Sequence, residues 1–313
     1  SAALPYKKPN NLFINGEWAA PSSSSQINVV NCATEELVMS VAEAQEADVN
    51  RAVAAAKAAF EKGPWPRMSH AERAGYLRAI GTEIEKRAAD TATVWVSESG
   101  ITSTIANFMS GAALGDIYKY YAGLADTFQF EERHTPTPGQ GKVGLLVREP
   151  VGVVAAIIPW NAPSSLIAYK VAPALLAGCT VIVKASPEAP GAAYILAEVC
   201  EKVGLPKGVV NIVFGFGPEA GAPLVEHPDV NAISFTGSSE VGRIVGERAA
   251  SALKPCSLEM GGKNAMIVMD DANLELAVEG ALWGAFGTTG QRCTATSRML
   301  LHKKIARAFT RQL

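Results

Sequence analysis

The chain has 313 residues, 48% of them hydrophobic, with 28 Lys and Arg against 30 Asp and Glu for a formal net charge of −2. That length holds about two domains with real apolar cores. A near-neutral balance without any basic block excludes nucleic acid or an anionic membrane surface as the expected partner; no apolar run is long enough to span a bilayer, and the opening SAALPYKKPNN lacks the apolar core of a signal peptide.

Five cysteines (Cys32, Cys179, Cys200, Cys256, Cys293) are scattered without a CxxC or paired spacing. This predicts free thiols in a reducing compartment, taken as the cytoplasm, and not a disulfide framework. The four histidines (His70, His134, His227, His302) share no ligand spacing, so no metal site is expected.

In chain order, Leu12-Phe13-Ile14-Asn15-Gly16-Glu17-Trp18 predicts a short hairpin about an Asn-Gly turn. The Ala-rich run 47–62, with Asp48 near its start, predicts a helix. Residues 69–87 predict another, opened by a capping box at Ser69 and Glu72. Two more are expected over 90–99 and 104–126. Residues 128–150 have no helical period, a Pro/Gly-rich middle and an apolar strand at 143–147. This stretch reads equally as an arm pairing with another subunit and as an ordinary surface hairpin.

From Val151 the pattern becomes alternating β and α. Strands are expected at 151–158, 180–183, 209–213 and 230–235, with helices at 166–176, 191–203, 220–226 and 241–250. Such alternation predicts a parallel sheet covered by helices on both faces, with ligands beyond the carboxyl ends of the strands. Trp160 and Asn161 follow the first strand, Lys184 ends the second, and Gly237-Ser238 follow the fourth. Each also has a plain structural role. Ser238 suits a helix N-cap, yet a helix start also presents free N–H groups to a pyrophosphate. Gly237 to Gly242 is not the GxGxxG fingerprint, so a standard Rossmann loop is not indicated. Lys184 is either a solvated strand-end lysine or a donor to ribose hydroxyls or phosphate. Asn161 is either a turn residue or an oxyanion donor.

A further strand-like run at 257–259 leads into Met260-Gly261-Gly262. Glu259, set between apolar strands, is expected to be desolvated, which would raise its pKa and suit it as a general base; a capping or ion-paired role is the alternative. The run 283–295 ends in Gly290-Gln291-Arg292-Cys293. A turn at the glycine can present the Cys293 sulfur to a cleft, and Arg292 beside it could favour the thiolate. A lone cysteine, however, is more often buried and inert.

Asn161, Lys184, FTGS at 235–238, LEMGGKN at 258–264 and GQRC at 290–293 occur in the order and approximate spacing of the aldehyde dehydrogenase superfamily, which the chain resembles from Asn15-Gly16 to its last residue. The resemblance implies an α/β fold: a Rossmann-like NAD(P)-binding domain over 1–127 and 151–262, an oligomerisation arm at 128–150, and the beginning of a second α/β catalytic domain at 263–313. It implies Cys293 as nucleophile, Glu259 as general base, and Asn161 with the Cys293 backbone N–H as oxyanion donors. Lys184 then matches the adenosine-ribose contact, Ser238 and Trp160 the pyrophosphate contacts, and Gly237 a position near the nicotinamide; Glu188 and Gly261 join the cofactor-binding set. The implied reaction is oxidation of an aldehyde to a carboxylic acid with NAD or NADP, through a thiohemiacetal, hydride transfer, a thioester and hydrolysis assisted by Glu259. The acylating branch, which uses coenzyme A, typically lacks that acid. A homo-dimer or homo-tetramer through 128–150 is implied as well.

Two departures stand out. Where NAD-preferring relatives often carry a Glu three residues after the lysine, this chain has Pro187, with the acid displaced to Glu188, which leaves NAD and NADP both open. The chain also ends 20 residues past Cys293. The expectation is therefore that most of the catalytic domain is missing, that 265–301 exposes an apolar face, and that the 313-residue piece alone is inactive. A short paralogue serving as a cofactor-binding or structural module is the alternative. Ala162, beside Asn161, hints at room for a larger or branched aldehyde.

Overall fold

The computed structural model describes residues 5–313; the first four positions of the opening SAALPYKKPNN lie outside the described residues. Strands β1 (Leu12–Ile14) and β2 (Glu17–Ala19) form the expected hairpin. Its turn places Asn15 and Gly16 at φ 57° and 71°, the left-handed region that an Asn-Gly pair tolerates. A ribbon of β3 (Gln26–Val30) and β4 (Leu37–Ala42) follows, then helices α1 (Glu46–Glu61), α2 (His70–Lys86) and α3 (Ala88–Ser99). The Ser69–Glu72 capping box is present at the start of α2. The helix expected over 104–126 is broken at Gly111 into α4 (Ser103–Ser110) and α5 (Ala112–Thr127). Gly111 has ψ −123°, which no helix accommodates.

Strands β5 (Glu131–His134) and β6 (Gly144–Val147) make an antiparallel ribbon. Leu145, Leu146 and Val147 are all exposed. Successive strand residues point to opposite faces, so neither face of β6 is covered and the ribbon protrudes.

The βα alternation then runs β7 (Val153–Ile157), α6 (Pro163–Ala177), β8 (Thr180–Ala185), α7 (Gly191–Lys202), β9 (Val210–Phe214), α8 (Ala222–Glu226), β10 (Ala232–Gly237), α9 (Ser239–Ser251) and β11 (Cys256–Met260). One seven-stranded sheet has the order β11-β10-β7-β8-β9-β1-β2. The pairs from β11 to β9 are parallel, and the β1–β2 hairpin adds antiparallel at the far edge. Helices α1, α8 and α9 pack on one face; α6 and α7 pack on the other, with α2, α3 and α5 outside them. β7, β8 and β9 are buried at every residue, as parallel strands between two helical layers must be. The Rossmann-like α/β fold with a protruding arm is thus the fold observed.

Beyond the sheet, β12 (Asn264–Val268) and β13 (Thr296–Leu301) pair in parallel, with α10 (Leu274–Phe286) between them in sequence and α11 (Ala306–Gln312) after them. Val268, Val278, Ala281 and Phe309 form a small core of their own here. Ile267, Leu276, Trp283, Phe286 and Leu300 lie exposed on the same unit. Among the described residues no helix is long and apolar enough to cross a membrane.

Candidate active site

Beyond their carboxyl ends β7, β8 and β10 lead into Pro159-Trp160-Asn161, Ser186-Pro187 and Ser238, outside the sheet. The hollow they leave is roofed by α8, α9 and the turn before Cys293. It is a cavity of about 1050 Å³, at the upper end of small-molecule sites and roomy enough for an extended dinucleotide. Trp160, Asn161, Lys184, Glu188, Gly237, Ser238, Gly261 and Cys293 all stand on its wall.

Lys184 carries the strongest electrostatic signal. It is the penultimate residue of β8, stands on the cavity wall and is only 6% exposed. Burial pushes its ammonium down to about 8, partly opposed by Glu188. Among the described residues its Nζ has no hydrogen-bond or ion-pair partner, although buried cations are normally paired. An anionic or polyhydroxyl ligand would supply the missing acceptors. Glu188 is exposed, and its carboxylate accepts a hydrogen bond from the Ser186 hydroxyl, which holds the displaced acid beside the cavity.

Ser238 caps α9, its hydroxyl accepting from Val241 N at 3.2 Å. The cap and the cavity-facing helix start coexist, so the two readings of Ser238 are not exclusive. Gly237 leaves space that a side chain could not share, because a Cβ there would stand 2.5 Å from the Phe235 ring. The hydroxyl of Thr236, also on the wall, is buried without a partner. A ligand polar atom reaching this part of the wall would complete its bonding.

Cys293 is exposed and reaches the cavity from a strained turn. Thr288, Thr289 and Gly290 have φ 56°, 55° and 74°; for β-branched threonine this is an uncommon conformation that clusters at functional sites. Asn161 Nδ2 donates to the carbonyl of Gln291 at 2.8 Å, which ties the two loops together.

Two expectations are corrected. Glu259 is exposed, not desolvated, and it is not on the cavity wall. It lies on β11, the edge strand, and alternates with the half-buried Leu258 and Met260, so it faces the open side of the strand. That is the side of Lys170 on α6, whose ammonium feels the Glu259 carboxylate. Arg292, in turn, does not address the thiol. Its Nη2 donates to the Trp283 and Gly284 carbonyls at 2.7 and 3.2 Å, capping α10, and its guanidinium stacks 5.1 Å from the Trp283 ring centre.

Several participants escape sequence reading. Lys170 is 8% exposed, donates to Ser234 Oγ at 2.9 Å and is pushed down to about 8 by burial. A lysine inside an apolar helical run was the available signal. Ser99 and Trp95 of α3 bind the loop after β7: Ser99 Oγ donates to the Trp160 carbonyl at 2.7 Å and Trp95 Nε1 to the Asn161 carbonyl at 2.8 Å. Nothing local marks either residue, since the partners are more than sixty positions away.

The model of the aldehyde dehydrogenase family matches residues 18–313. Aldehyde dehydrogenase 1 of Tanacetum cinerariifolium is 43% identical over all of this chain and 62% of its own length. The peroxisomal aminoaldehyde dehydrogenase 2 of Pisum sativum is 42% identical over 96% of this chain and 61% of its own length. Among solved structures, a variant of aldehyde dehydrogenase C from Pseudomonas syringae, in complex with NAD+ and octanal, superposes with a TM-score of 0.90 at 37% identity, covering 96% of this chain and 60% of that one. The chain thus spans about three-fifths of the length of these relatives.

Proposed function

This chain belongs to the aldehyde dehydrogenase family, and from that premise we propose that it carries the cofactor site and the nucleophile of an NAD(P)-dependent enzyme oxidising aldehydes to carboxylic acids. The observation that carries this reading is the unpartnered, buried Lys184 in the same cavity as Cys293 and Asn161. Solved relatives bound to NAD+ support the choice of ligand.

A bound nicotinamide dinucleotide supplies the hydride acceptor. Lys184 and Glu188 would hold its adenosine ribose, Ser238 and Trp160 its pyrophosphate, and Gly237 and Gly261 would leave room for the nicotinamide end. The Cys293 thiolate attacks the aldehyde carbon; a C–S bond forms as the carbonyl π bond opens to an alkoxide. Asn161 Nδ2 and the Cys293 backbone N–H stabilise that oxygen. Once the hydride has left, the carbon is a thioester on Cys293. Glu259 accepts a proton from water, which adds to the thioester and expels the thiolate with the acid. An exposed Glu259 must swing toward Cys293 for this step, and its place on a free strand edge permits that.

We assign 1–127 and 151–262 to the cofactor domain, 128–150 to an oligomerisation arm and 263–313 to the catalytic domain. Multiple turnover is proposed to need the apolar face of β12, β13 and α10 covered, so the 313 residues alone bind cofactor and capture aldehyde without sustained turnover. Five free thiols suit a reducing compartment such as the cytoplasm.

Calorimetric titration with NAD and NADP separately tests the cofactor assignment. One-to-one binding that is weakened at least tenfold by Lys184→Met is expected. A Kd unchanged by that substitution, or no binding of either nucleotide, refutes it.

A further inference from the structure

Gln291, two residues before the thiol, makes four hydrogen bonds. Its side-chain Nε2 donates to the Ser99 carbonyl at 2.9 Å and to the Thr289 hydroxyl. Its backbone N–H donates to the Thr288 carbonyl at 3.0 Å, and its own carbonyl accepts from Asn161 Nδ2 at 2.8 Å. It therefore grips both left-handed threonines, a conformation that β-branched residues do not hold unaided. It also fastens that turn to the end of α3. The same end of α3 holds the Asn161 loop from the other side, through Ser99 Oγ to the Trp160 carbonyl and Trp95 Nε1 to the Asn161 carbonyl.

The consequence falls on Asn161. A side-chain amide carries two N–H donors and one carbonyl acceptor, and only its partners decide which end faces a cleft. With the Gln291 carbonyl taking one N–H, the amide cannot flip without setting two carbonyl oxygens against each other. The second N–H has no partner among the described residues and belongs to a residue that lines the same cavity as Cys293.

We propose that Gln291 is a positioning residue: its side-chain amide clamps the strained turn to α3 so that its own carbonyl fixes the Asn161 amide as an oxyanion donor to the adduct at Cys293. This rests on the reading of Cys293 as the residue that captures the aldehyde.

Capture can be followed without cofactor or turnover. Protection of Cys293 by propanal against iodoacetamide, read by peptide mass spectrometry on the full chain, gives the dissociation constant of the thiohemiacetal. Gln291→Leu is expected to weaken protection about tenfold. Gln291→Glu, similar in length but without the N–H donors, should weaken it as much. Asn161→Ala should weaken it comparably, and Asn161→Ala with Gln291→Leu no further than Asn161→Ala alone, because both act through one donor. Thermal melting of each variant and its alkylation rate without aldehyde report any general loosening. Wild-type protection in Gln291→Leu, additive losses in the double variant, or a comparable change in alkylation without aldehyde would overturn the proposal. If propanal fails to protect the unsubstituted chain, the capture reading itself falls.

Discussion

Lys184 is the residue whose environment asks most for a ligand. Its folded pKa, lowered to about 8 from 10.5 by burial, means that the free protein holds fewer protons there than an exposed lysine between those values. An anionic pyrophosphate nearby restores the charged form. Cofactor binding near pH 9 is therefore expected to take up a proton, seen as a calorimetric enthalpy that changes with the ionisation enthalpy of the buffer. Near pH 6.5, where Lys184 is already charged, and in Lys184→Met, that dependence should vanish. A buffer-independent enthalpy at pH 9 would contradict the account. That Lys184, Asn161 and Cys293 line one cavity is legible in the sequence, because each sits near the carboxyl end of a strand or beyond a glycine turn, and such places open onto a crevice. Glu259 departs from the sequence expectation because apolar neighbours suggest burial, whereas an edge strand leaves one face open. Gln291 and Ser99 were out of reach: their bond joins positions 192 residues apart.

Elements show the same division. The βα alternation from β7 to β11 could be read from short apolar strands punctuated by helix caps, and the α2 capping box was legible to the residue. The β3–β4 ribbon is not among the expected elements, although Ile27 and Val29 are buried between exposed neighbours, a period of two. Helix α10 was masked by Gly280 and Gly284, which lower helix propensity in an otherwise apolar run. The joint between α3 and α7 makes a prediction at this scale. Glu98 is buried at the end of α3, and its two oxygens accept from Gly191 N at 3.1 and 3.2 Å, at the start of α7. Burial pushes its carboxyl up to about 8 from 4.5. The folded state thus binds the extra proton, and the stability this contributes is complete below about pH 4.5 and lost as pH rises through about 8. Glu98→Gln keeps an acceptor for Gly191 and removes the charge. Its melting temperature is expected to gain on that of the unsubstituted chain as pH rises from 5 to 9. Parallel melting curves would show that Glu98 ionises normally.

At the scale of the whole molecule, both the arm and the β12–β13 unit leave apolar surface open. With Leu145, Leu146 and Val147 exposed on both faces of β6, the arm is expected to pair with another subunit. Leu145→Glu combined with Leu146→Lys should shift the mass measured by light scattering toward the monomer while leaving cofactor affinity within about twofold, because the cavity lies apart from the ribbon. An unchanged oligomer would remove the arm from that role. Whether Cys293 forms a covalent adduct beside a dinucleotide held by Lys184 is decided by mixing the protein with an aldehyde and saturating NAD or NADP and measuring both reduced nicotinamide and the mass of the Cys293 peptide. At least a single burst of reduced nicotinamide is expected, with an acyl mass on Cys293 that is absent in Cys293→Ala. Reduced nicotinamide formed equally by Cys293→Ala, or cofactor bound with neither burst nor acyl mass, would contradict it.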